Sequence, residues 1–542
     1  MSGQAGIGIW NYGDLFDGLA RVVPPDRPAL IHGDRSISWG EMTRRTNNLA
    51  AALLADGARP DDKIALYLRN HPAYLEATIA GFKARQVHVN VNYRYAADEV
   101  RYILDNSDAT TVVFAREFSP LVTQIRDRLP GVRRWLVVDD GSDVAPPGLA
   151  TSFDLLADTG PGTPLDIARS PSDLFFIYTG GTTGMPKGVM WTQDALRRAL
   201  ISPALVEQVP QDLEDHLRIV CETGQGPVNL PACPLMHGTG LLSGISALVG
   251  GGTVVTLPSA HFDADELWQV VERHRADQLI IVGDAFAKPM LRALDEAPGR
   301  RDVSSVLAII SSGTMWSMEV KQGMLRHMPQ ATLLDSFGSS EAVGFGLSIM
   351  TADGLVQTAK FAIGEDVRVF APDDREVVPG SGEAGIIARC GAIPQGYYKD
   401  PAKTAATYRT IGGVRYAMPG DHCTVEADGT ITLLGRGSGC INTAGEKVFP
   451  EEVEEVLKQH PDVEDALVVG LPDEKWGQAV TAVVELAEGA VFDEAALRAH
   501  VRARLAGYKA PKRVIPVGRM FRAPNGKADY KGAQAYAARE AS

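Results

Sequence analysis

The chain has 542 residues, which is too long for one hydrophobic core, because single cores stop growing near ~250–300 residues. Its composition, 45% hydrophobic and 22% charged, is typical of a globular protein with several domains rather than of a disordered or fibrous chain. The formal net charge of −14 argues against broad nucleic-acid binding, which needs a basic surface.

Cysteine usage and the N-terminus bear on the cellular compartment. The five cysteines are scattered and show no CxxC spacing, so we expect neither a disulfide framework nor a zinc site. The first residues lack the basic and apolar regions of a signal peptide. We therefore expect a cytoplasmic protein with no integral membrane segment.

Short apolar, β-branched runs alternate with helical patterns through most of the chain, which predicts α/β layers with buried strands. Residues 241–260 are uncharged, but the glycine triplet at 250–252 predicts a buried helix, a turn and a core strand instead of a membrane span. We also predict a helix over residues 72–85, where Pro72 stands at the start. The predicted strands are residues 63–68, 110–114, 135–138, 174–178, 254–257, 279–282, 306–310 and 332–335.

The last hundred residues differ in pattern. Residues 450–457 and 492–505 have helical spacing, and residues 463–471 and 479–486 have strand character. Three glycines between Gly435 and Gly439 suit a hinge. We therefore predict an α/β protein in which residues 1–435 form a large N-terminal domain of layered α/β subdomains. Residues 436–542 form a small C-terminal α+β domain, with the hinge near Ser438.

The strongest chemical signal is residues 178–188, YTGGTTGMPKG, in which a predicted strand leads into a loop of glycines, hydroxyls and one lysine. Glycines let backbone N–H groups approach an anion, and lysine adds a compact positive charge. The residues predict a polyphosphate-binding loop formed by Thr179, Gly181, Thr182, Thr183, Gly184 and Lys187. It is not a Walker A loop, because no Ser or Thr follows the lysine.

This loop closely resembles the signature of the adenylate-forming superfamily, which includes acyl-CoA synthetases, luciferases and the adenylation domains of peptide synthetases. The superfamily's other motifs occur in the correct order, so the resemblance covers nearly the whole chain. It implies an N-terminal adenylation domain and a mobile C-terminal domain.

The second motif, residues 335–341 (DSFGSSE), follows a predicted strand, and we expect it at the strand's carboxyl end, where α/β proteins place ligands. The family pattern is Tyr-Gly-x-Thr-Glu. By resemblance, Phe337 stacks on adenine, Ser340 contacts phosphate and Glu341 is the Mg²⁺ ligand. Four neighbours are also expected to bind nucleotide: Gly313, Asp335, Ser336 and Gly338.

The third and fourth motifs lie before and at the predicted hinge. Residues 416–421 (YAMPGD) resemble the family's ribose-binding segment, in which Asp421 accepts hydrogen bonds from the ribose hydroxyls, although Pro419 replaces the usual Thr. Residues 435–454 resemble the hinge and thioester-forming motif. There Arg436 is implied to bind ribose or phosphate, and Gly445 to act in the second half-reaction. Ser438 and Asn442 depart from the family pattern.

The fifth motif, residues 524–530 (PNGKADY), matches the family's C-terminal Pro-x-Gly-Lys pattern. The resemblance implies that Lys527 neutralises charge at the carboxylate and α-phosphate. His237 matches a family position at the acyl pocket, although a core histidine is an alternative for such a residue.

The resemblance implies an AMP-forming acyl-CoA synthetase that uses ATP, Mg²⁺ and CoA, with Lys527, Glu341, Thr182 and Lys187 as catalytic residues. Four stretches (282–289, 311–317, 335–343 and 435–454) resemble bacterial fatty-acyl-CoA ligases of the steroid-degrading type. A fatty acid or steroid side-chain acid is then expected, and Met315 and Trp316 would line its pocket, or Trp316 would belong to the core.

Three alternatives remain open from sequence: a ligase for aryl acids, a ligase that delivers to a carrier protein, and a non-catalytic nucleotide- or acyl-binding protein. The retention of Lys187, Glu341 and Lys527 argues against the last of these. A homodimer is possible by analogy.

Overall fold

The structure is a computed structural model. It describes residues 10–179, 185–201, 208–314, 316–354, 360–436, 439, 441–443, 446–473, 477–505, 507–523 and 526–541.

The strands fall in chain order as follows: β1 (Pro28–His32), β2 (Arg35–Ser38), β3 (Lys63–Tyr67), β4 (Val87–Asn90), β5 (Ala109–Ala115), β6 (Arg134–Val138), β7 (Thr151–Ser152), β8 (Leu174–Thr179), β9 (Lys187–Thr192), β10 (Val228–Pro231), β11 (Thr253–Thr256), β12 (Gln278–Ile281), β13 (Ala308–Ser312), β14 (Thr332–Ser339), β15 (Ala342–Met350), β16 (Lys360–Ile363), β17 (Val367–Phe370), β18 (Ala384–Arg389), β19 (Gly396–Tyr397), β20 (Tyr408–Ile411), β21 (Val414–Ala417), β22 (Asp421–Val425), β23 (Ile431–Arg436), β24 (Ile441–Thr443), β25 (Glu446–Val448), β26 (Val463–Asp473), β27 (Gly477–Leu486) and β28 (Arg513–Val517).

The helices are α1 (Tyr12–Val22), α2 (Trp39–Ala55), α3 (Pro72–Lys83), α4 (Ala97–Asn106), α5 (Ser119–Ile125), α6 (Phe153–Asp158), α7 (Gln193–Leu200), α8 (Leu213–Thr223), α9 (Gly238–Val249), α10 (Ala264–His274), α11 (Asp284–Glu296), α12 (Met318–His327), α13 (Pro401–Thr407), α14 (Pro450–Lys458), α15 (Glu494–Arg502) and α16 (Tyr530–Ala541).

The alternation of strands and helices produces the expected α/β layers. The largest sheet joins fifteen of the described strands, and β10 to β14 form its parallel core, from which the chain continues into an antiparallel part through β15 and β16. A second sheet, in the order β4-β3-β5-β6-β7, is entirely parallel. These parallel strands are buried by helices, as such sheets require.

The predicted elements are confirmed with small shifts of their ends. Helix α3 begins at Pro72, where proline loses no hydrogen bond, and the His71 side chain accepts from the Ala73 N–H. The uncharged stretch forms α9, a glycine turn and β11, as predicted. None of the helices within the described residues has both the length and the apolar character that crossing a bilayer requires.

The C-terminal residues form a separate sheet in the order β25-β24-β27-β26, and β28 pairs with β27. Helices α14 and α15 pack on one core cluster of this sheet, and Ala533 and Ala537 of α16 belong to a second. This arrangement is the predicted α+β type.

Candidate functional site

Strands β13 and β14 bring several candidate residues to one edge of the large sheet. The two strands are parallel, with Ser311 opposite Asp335 and Ser312 opposite Ser336. Gly313 follows β13 directly, and its φ of +92° is a left-handed conformation that favours glycine. Because carboxyl ends of parallel strands form the usual ligand-binding edge of such sheets, this edge is the candidate active site.

The strand predicted over residues 332–335 is four residues longer in the structure. Strand β14 continues to Ser339, and the chain turns at Ser340 and Glu341 into the antiparallel strand β15. Pairing with β15 satisfies the backbone groups that a loop would leave to solvent, so the strand is longer than its apolar part. A Cβ on Gly338 would lie 2.9 Å from the Gly344 nitrogen, so this hairpin needs glycine at that position.

The turn that carries Glu341 contacts the strand that follows the predicted phosphate loop. The Tyr397 hydroxyl donates to Glu341 Oε1 at 2.7 Å, and the Trp191 indole N–H donates to the Ser340 carbonyl at 2.9 Å. Trp191 lies in β9, and Tyr397 of β19 pairs with the same strand. Two hydrogen bonds therefore hold Glu341 next to the strand that begins with Lys187.

Lys187 is the first residue of β9, directly opposite Thr179 of β8. Its ammonium group makes an ion pair with Asp400. The hydrogen bond from Lys187 is the main reason that the pKa of Asp400 is lowered. The Lys187 side chain remains 35% exposed. An anionic ligand can therefore reach it. Gly181, Thr182, Thr183 and Gly184 lie outside the described residues.

Phe337, the expected adenine contact, packs against Phe345 and Phe361 with ring centroids 5.3 and 5.4 Å apart. It is 9% exposed, so only a small part of its ring is accessible. Its role towards adenine stays a prediction.

Asp335 forms a buried ion pair with Lys321 of α12, and the Lys321 ammonium lies 5.6 Å from the Trp316 ring centroid. Burial, the largest influence, raises the pKa of Asp335 despite this lysine. Trp316 is fully buried in a core cluster, so the structure favours the core alternative over an open pocket wall. Met315 lies outside the described residues.

Lys527 lies at the edge defined by β13 and β14 although it is far away in sequence. A Cβ on Gly313 would lie 3.9 Å from Lys527 Cε. Lys527 also acts electrostatically on His237, which precedes α9. Burial, and then the charges of Lys527 and Arg94, lower the pKa of His237 to about 3, so its imidazole is neutral at physiological pH.

Asp421 begins β22 and is buried, and its backbone pairs with that of Arg436 in β23. The Arg436 side chain, Ser438 and Gly445 lie outside the part of the chain that the structure describes, as does the Asn442 side chain. Strand pairing thus places Asp421 and Arg436 side by side, and their contacts with ribose or phosphate remain predictions.

Sequence reasoning missed the residues that support the site: Asp400, Tyr397, Trp191, Lys321 and Arg94. Each is an ordinary residue in its local sequence. Tertiary contacts between distant parts of the chain bring these residues to the candidate ones, as the pairing of β9 with β19 does for Trp191 and Tyr397.

The fold and this site define a two-part α/β enzyme in which a C-terminal lysine reaches the ligand edge of an N-terminal sheet. The family model described as AMP-binding enzyme matches residues 19–398, and that described as AMP-binding enzyme C-terminal domain matches residues 452–527. The chain belongs to the AMP-binding enzyme family.

Curated relatives align with nearly the whole chain. A medium/long-chain-fatty-acid–CoA/3-oxocholest-4-en-26-oate–CoA ligase of Mycolicibacterium smegmatis is 40% identical over 97% of this chain and 96% of its own. A 3-oxocholest-4-en-26-oate–CoA ligase of Rhodococcus rhodochrous is 40% identical over 97% of this chain and 95% of its own. The fold is similar to that of an anthranilate CoA ligase in complex with anthranoyl-AMP, with a TM-score of 0.83, 20% identity and 98% coverage of both chains.

Proposed function

We propose that the chain is an AMP-forming acyl-CoA ligase, which converts a carboxylic acid, ATP and CoA into acyl-CoA, AMP and diphosphate through an acyl-adenylate. One observation carries the proposal. The loop with Lys527 reaches Gly313 at the end of β13, so a cation from the C-terminal part meets the edge where family members use nucleotide. The relatives that align end to end are named as CoA ligases.

In the first half-reaction, the substrate carboxylate attacks the α-phosphorus of ATP, and diphosphate leaves. Little covalent chemistry is required of the protein in such a step, which depends on positioning and charge neutralisation. Lys187 and the loop hydroxyls of Thr182 and Thr183 bind the β- and γ-phosphates, and Lys527 neutralises charge between the carboxylate and the α-phosphate. Asp400 is the counter-ion that Lys187 exchanges for phosphate.

The residues fit Mg²⁺. Glu341 offers a carboxylate beside β9, the strand that begins with Lys187, and its Oε1 accepts a hydrogen bond from the Tyr397 hydroxyl at 2.7 Å. Mg²⁺ prefers hard oxygen ligands and is often bound by one or two carboxylates together with substrate phosphates. When bound, the ion would neutralise phosphate charge, and Glu341 would hold it there.

In the second half-reaction, the CoA thiol attacks the acyl carbon, and AMP leaves. We propose that residues 436–542 rotate as one domain against residues 1–435 about a hinge near Ser438. This rotation takes Lys527 away and brings Gly445 to the same edge, a known class of domain motion. His237, which is neutral, lies next to the place where Lys527 enters.

The acid is a fatty acid or a steroid side-chain acid. The resemblance of four stretches of the chain to ligases of the steroid-degrading type supports this choice, as do the names of the relatives. We also propose that the protein acts in the cytoplasm and forms a homodimer. Gel filtration with light scattering tests the homodimeric state.

The test is turnover with ATP, Mg²⁺ and CoA across a panel of acids. The panel holds short, medium and long fatty acids, aryl acids and steroid acids, including 3-oxocholest-4-en-26-oate. We expect AMP, diphosphate and thioester in equal amounts, with fatty or steroid acids preferred. A preference for aryl acids would overturn the substrate class alone, and ADP as product would overturn the adenylate mechanism.

A further inference from the structure

Helix α11 is the surface on which the Lys527 loop docks. Gly526 has a φ of +81°, and a Cβ added to it would lie 2.6 Å from the Ala285 Cβ in the first turn of α11. The loop therefore approaches this helix so closely that only glycine fits. The next two residues of α11, Phe286 and Ala287, are buried, so the helix that carries the docking surface is anchored in the core.

One turn along α11, a lysine reaches the C-terminal sheet. Lys288 Nζ donates to the Glu464 main-chain carbonyl and lies 3.2 Å from Glu464 Oε1. Both side chains are partly shielded, with 27% and 38% exposure. This ion pair links the two parts of the molecule at a point distinct from the Lys527 loop.

The next residue of β26 holds the Lys527 loop. Asp465 accepts two hydrogen bonds from Arg522, at 2.6 and 2.7 Å, and Arg522 Nη1 donates to the Gly526 carbonyl at 3.3 Å. Burial opposes ionisation of Asp465, but the arginine outweighs it and lowers the pKa of the carboxyl. The Ala523 N–H also donates to the Lys527 carbonyl at 2.7 Å, which closes the loop.

Adjacent residues of one strand thus face in two directions. Glu464 contacts α11 of the N-terminal part, and Asp465 contacts the arginine that braces Gly526. A bond made by Lys288 to Glu464 fixes β26, and β26 fixes the loop that carries Lys527. The chain of contacts is continuous and short, so the position of β26 against α11 decides the position of the catalytic lysine.

We propose that Lys288 is a positioning residue that stabilises the orientation in which Lys527 reaches the site, and so favours adenylate formation over thioester formation. This inference rests on the proposed function. Rotation of the C-terminal domain breaks the Lys288–Glu464 contact, so loss of the lysine penalises only the first half-reaction. A contact shifts the equilibrium between the two domain orientations only by the difference between its interaction free energies in them. The Lys288–Glu464 contact is made in one orientation only.

The test measures both half-reactions separately in the full-length chain. Lys288→Met removes the charge and keeps the length of the side chain. We expect acid-dependent ATP–diphosphate exchange to fall about fivefold to tenfold in kcat, a size common for coupling between sites. The KM for ATP should not change, because the proposed role of Lys288 acts through Glu464 of β26. Thioester formation from supplied acyl-adenylate should be unchanged or faster, and Lys288→Arg should restore most of the exchange rate.

Lys360→Met is the matched control. Lys360 pairs with Asp428 at 3.0 Å with 29% exposure, a surface pair like that of Lys288 but away from the C-terminal sheet. Its loss should leave both half-reactions unchanged. Thermal unfolding of each variant separates a local effect from general destabilisation.

The outcomes separate the two proposals. An active wild-type chain whose Lys288→Met variant loses both half-reactions equally, or neither, overturns the positioning role alone. A wild-type chain that forms no adenylate with any acid of the panel overturns the proposed function and the inference with it.

Discussion

The parallel strands of the large sheet and the C-terminal loop both deliver residues to one edge, but different forces hold them there. Gly313 directly follows β13, and Asp335 belongs to β14. The apolar residues of these two strands lie in a continuous core. Lys527 is an exposed residue next to Gly526, which is held by a hydrogen bond from Arg522 and by close packing on Ala285.

This difference suits a reaction with two stages. Residues on core strands keep their positions throughout, because moving them would disrupt close-packed side chains. A loop held by a few polar contacts leaves at a much smaller cost in free energy. We therefore propose that Lys187 and Glu341 bind nucleotide in both stages, whereas Lys527 serves one stage only.

The largest expected effect is that of Lys527→Ala on adenylate formation. Loss of one preorganised charge-stabilising group typically lowers kcat about 10²–10³-fold, and we expect a decrease of this size in ATP–diphosphate exchange. The fold should be unaffected, because the side chain is exposed. Exchange at the wild-type rate would show that the loop is not catalytic.

The next effect is that of Glu341→Gln. The amide keeps the shape but loses the charge that Mg²⁺ prefers, so adenylation should fall about 100-fold and need more Mg²⁺. Tyr397→Phe, which removes only the hydroxyl that donates to Glu341, should lower the adenylation rate and raise the Mg²⁺ requirement by smaller amounts. A Mg²⁺ titration identical to that of the wild type would remove Glu341 from the metal site.

Gly526→Ala should lower adenylation about tenfold, because its Cβ would lie 2.6 Å from that of Ala285 and its φ is +81°. The control is Gly489→Ala, since Gly489 has a similar φ of +79° but nothing within 4 Å. Both variants carry the backbone strain, and only the first carries the clash. Equal losses in the two variants would contradict docking on α11.

The smallest expected effect is a loss of stability in acid, which arises from a buried histidine of the N-terminal part. Burial lowers the pKa of His88 to about 4, although its Nδ1 lies 3.0 Å from the Phe176 carbonyl. The unfolded chain protonates this histidine below pH ~6.5, whereas the folded protein does not, so its contribution is complete above pH 6.5 and decreases as pH falls towards 4.

We therefore expect thermal unfolding of the wild type at a lower temperature at pH 5 than at pH 7. His88→Gln should be destabilised at pH 7, and its difference from the wild type should shrink at pH 5. A difference independent of pH would show that the pKa of His88 is the same in the folded and unfolded chains and that its contribution is steric.

Much of this architecture could be predicted from sequence, for reasons specific to each element. Seven of the strands were predicted from apolar runs whose character is local: β3, β5, β6, β8, β11, β12 and β13. Helix α3 carries its own start signal at Pro72. The extension of β14 to Ser339 was not predictable, because Ser336, Gly338 and Ser339 have no strand character until β15 pairs with this segment.

The supporting contacts of the site could not be predicted either. Lys187 and Asp400 are 213 residues apart, and Tyr397 and Glu341 are 56 apart, so only tertiary structure reveals these pairs. Trp316 shows the same limit, because an indole suits a pocket wall and a core equally well. Its burial became known only from the packing around α12.

The most direct test supplies Lys527→Ala with the acyl-adenylate of the preferred acid, together with CoA. If Lys527 serves one stage only, this variant should form thioester at a rate within about twofold of the wild type while its ATP–diphosphate exchange remains ~10²–10³-fold lower. An equally large loss in both reactions would contradict the two-stage account and would place Lys527 among the residues that act throughout.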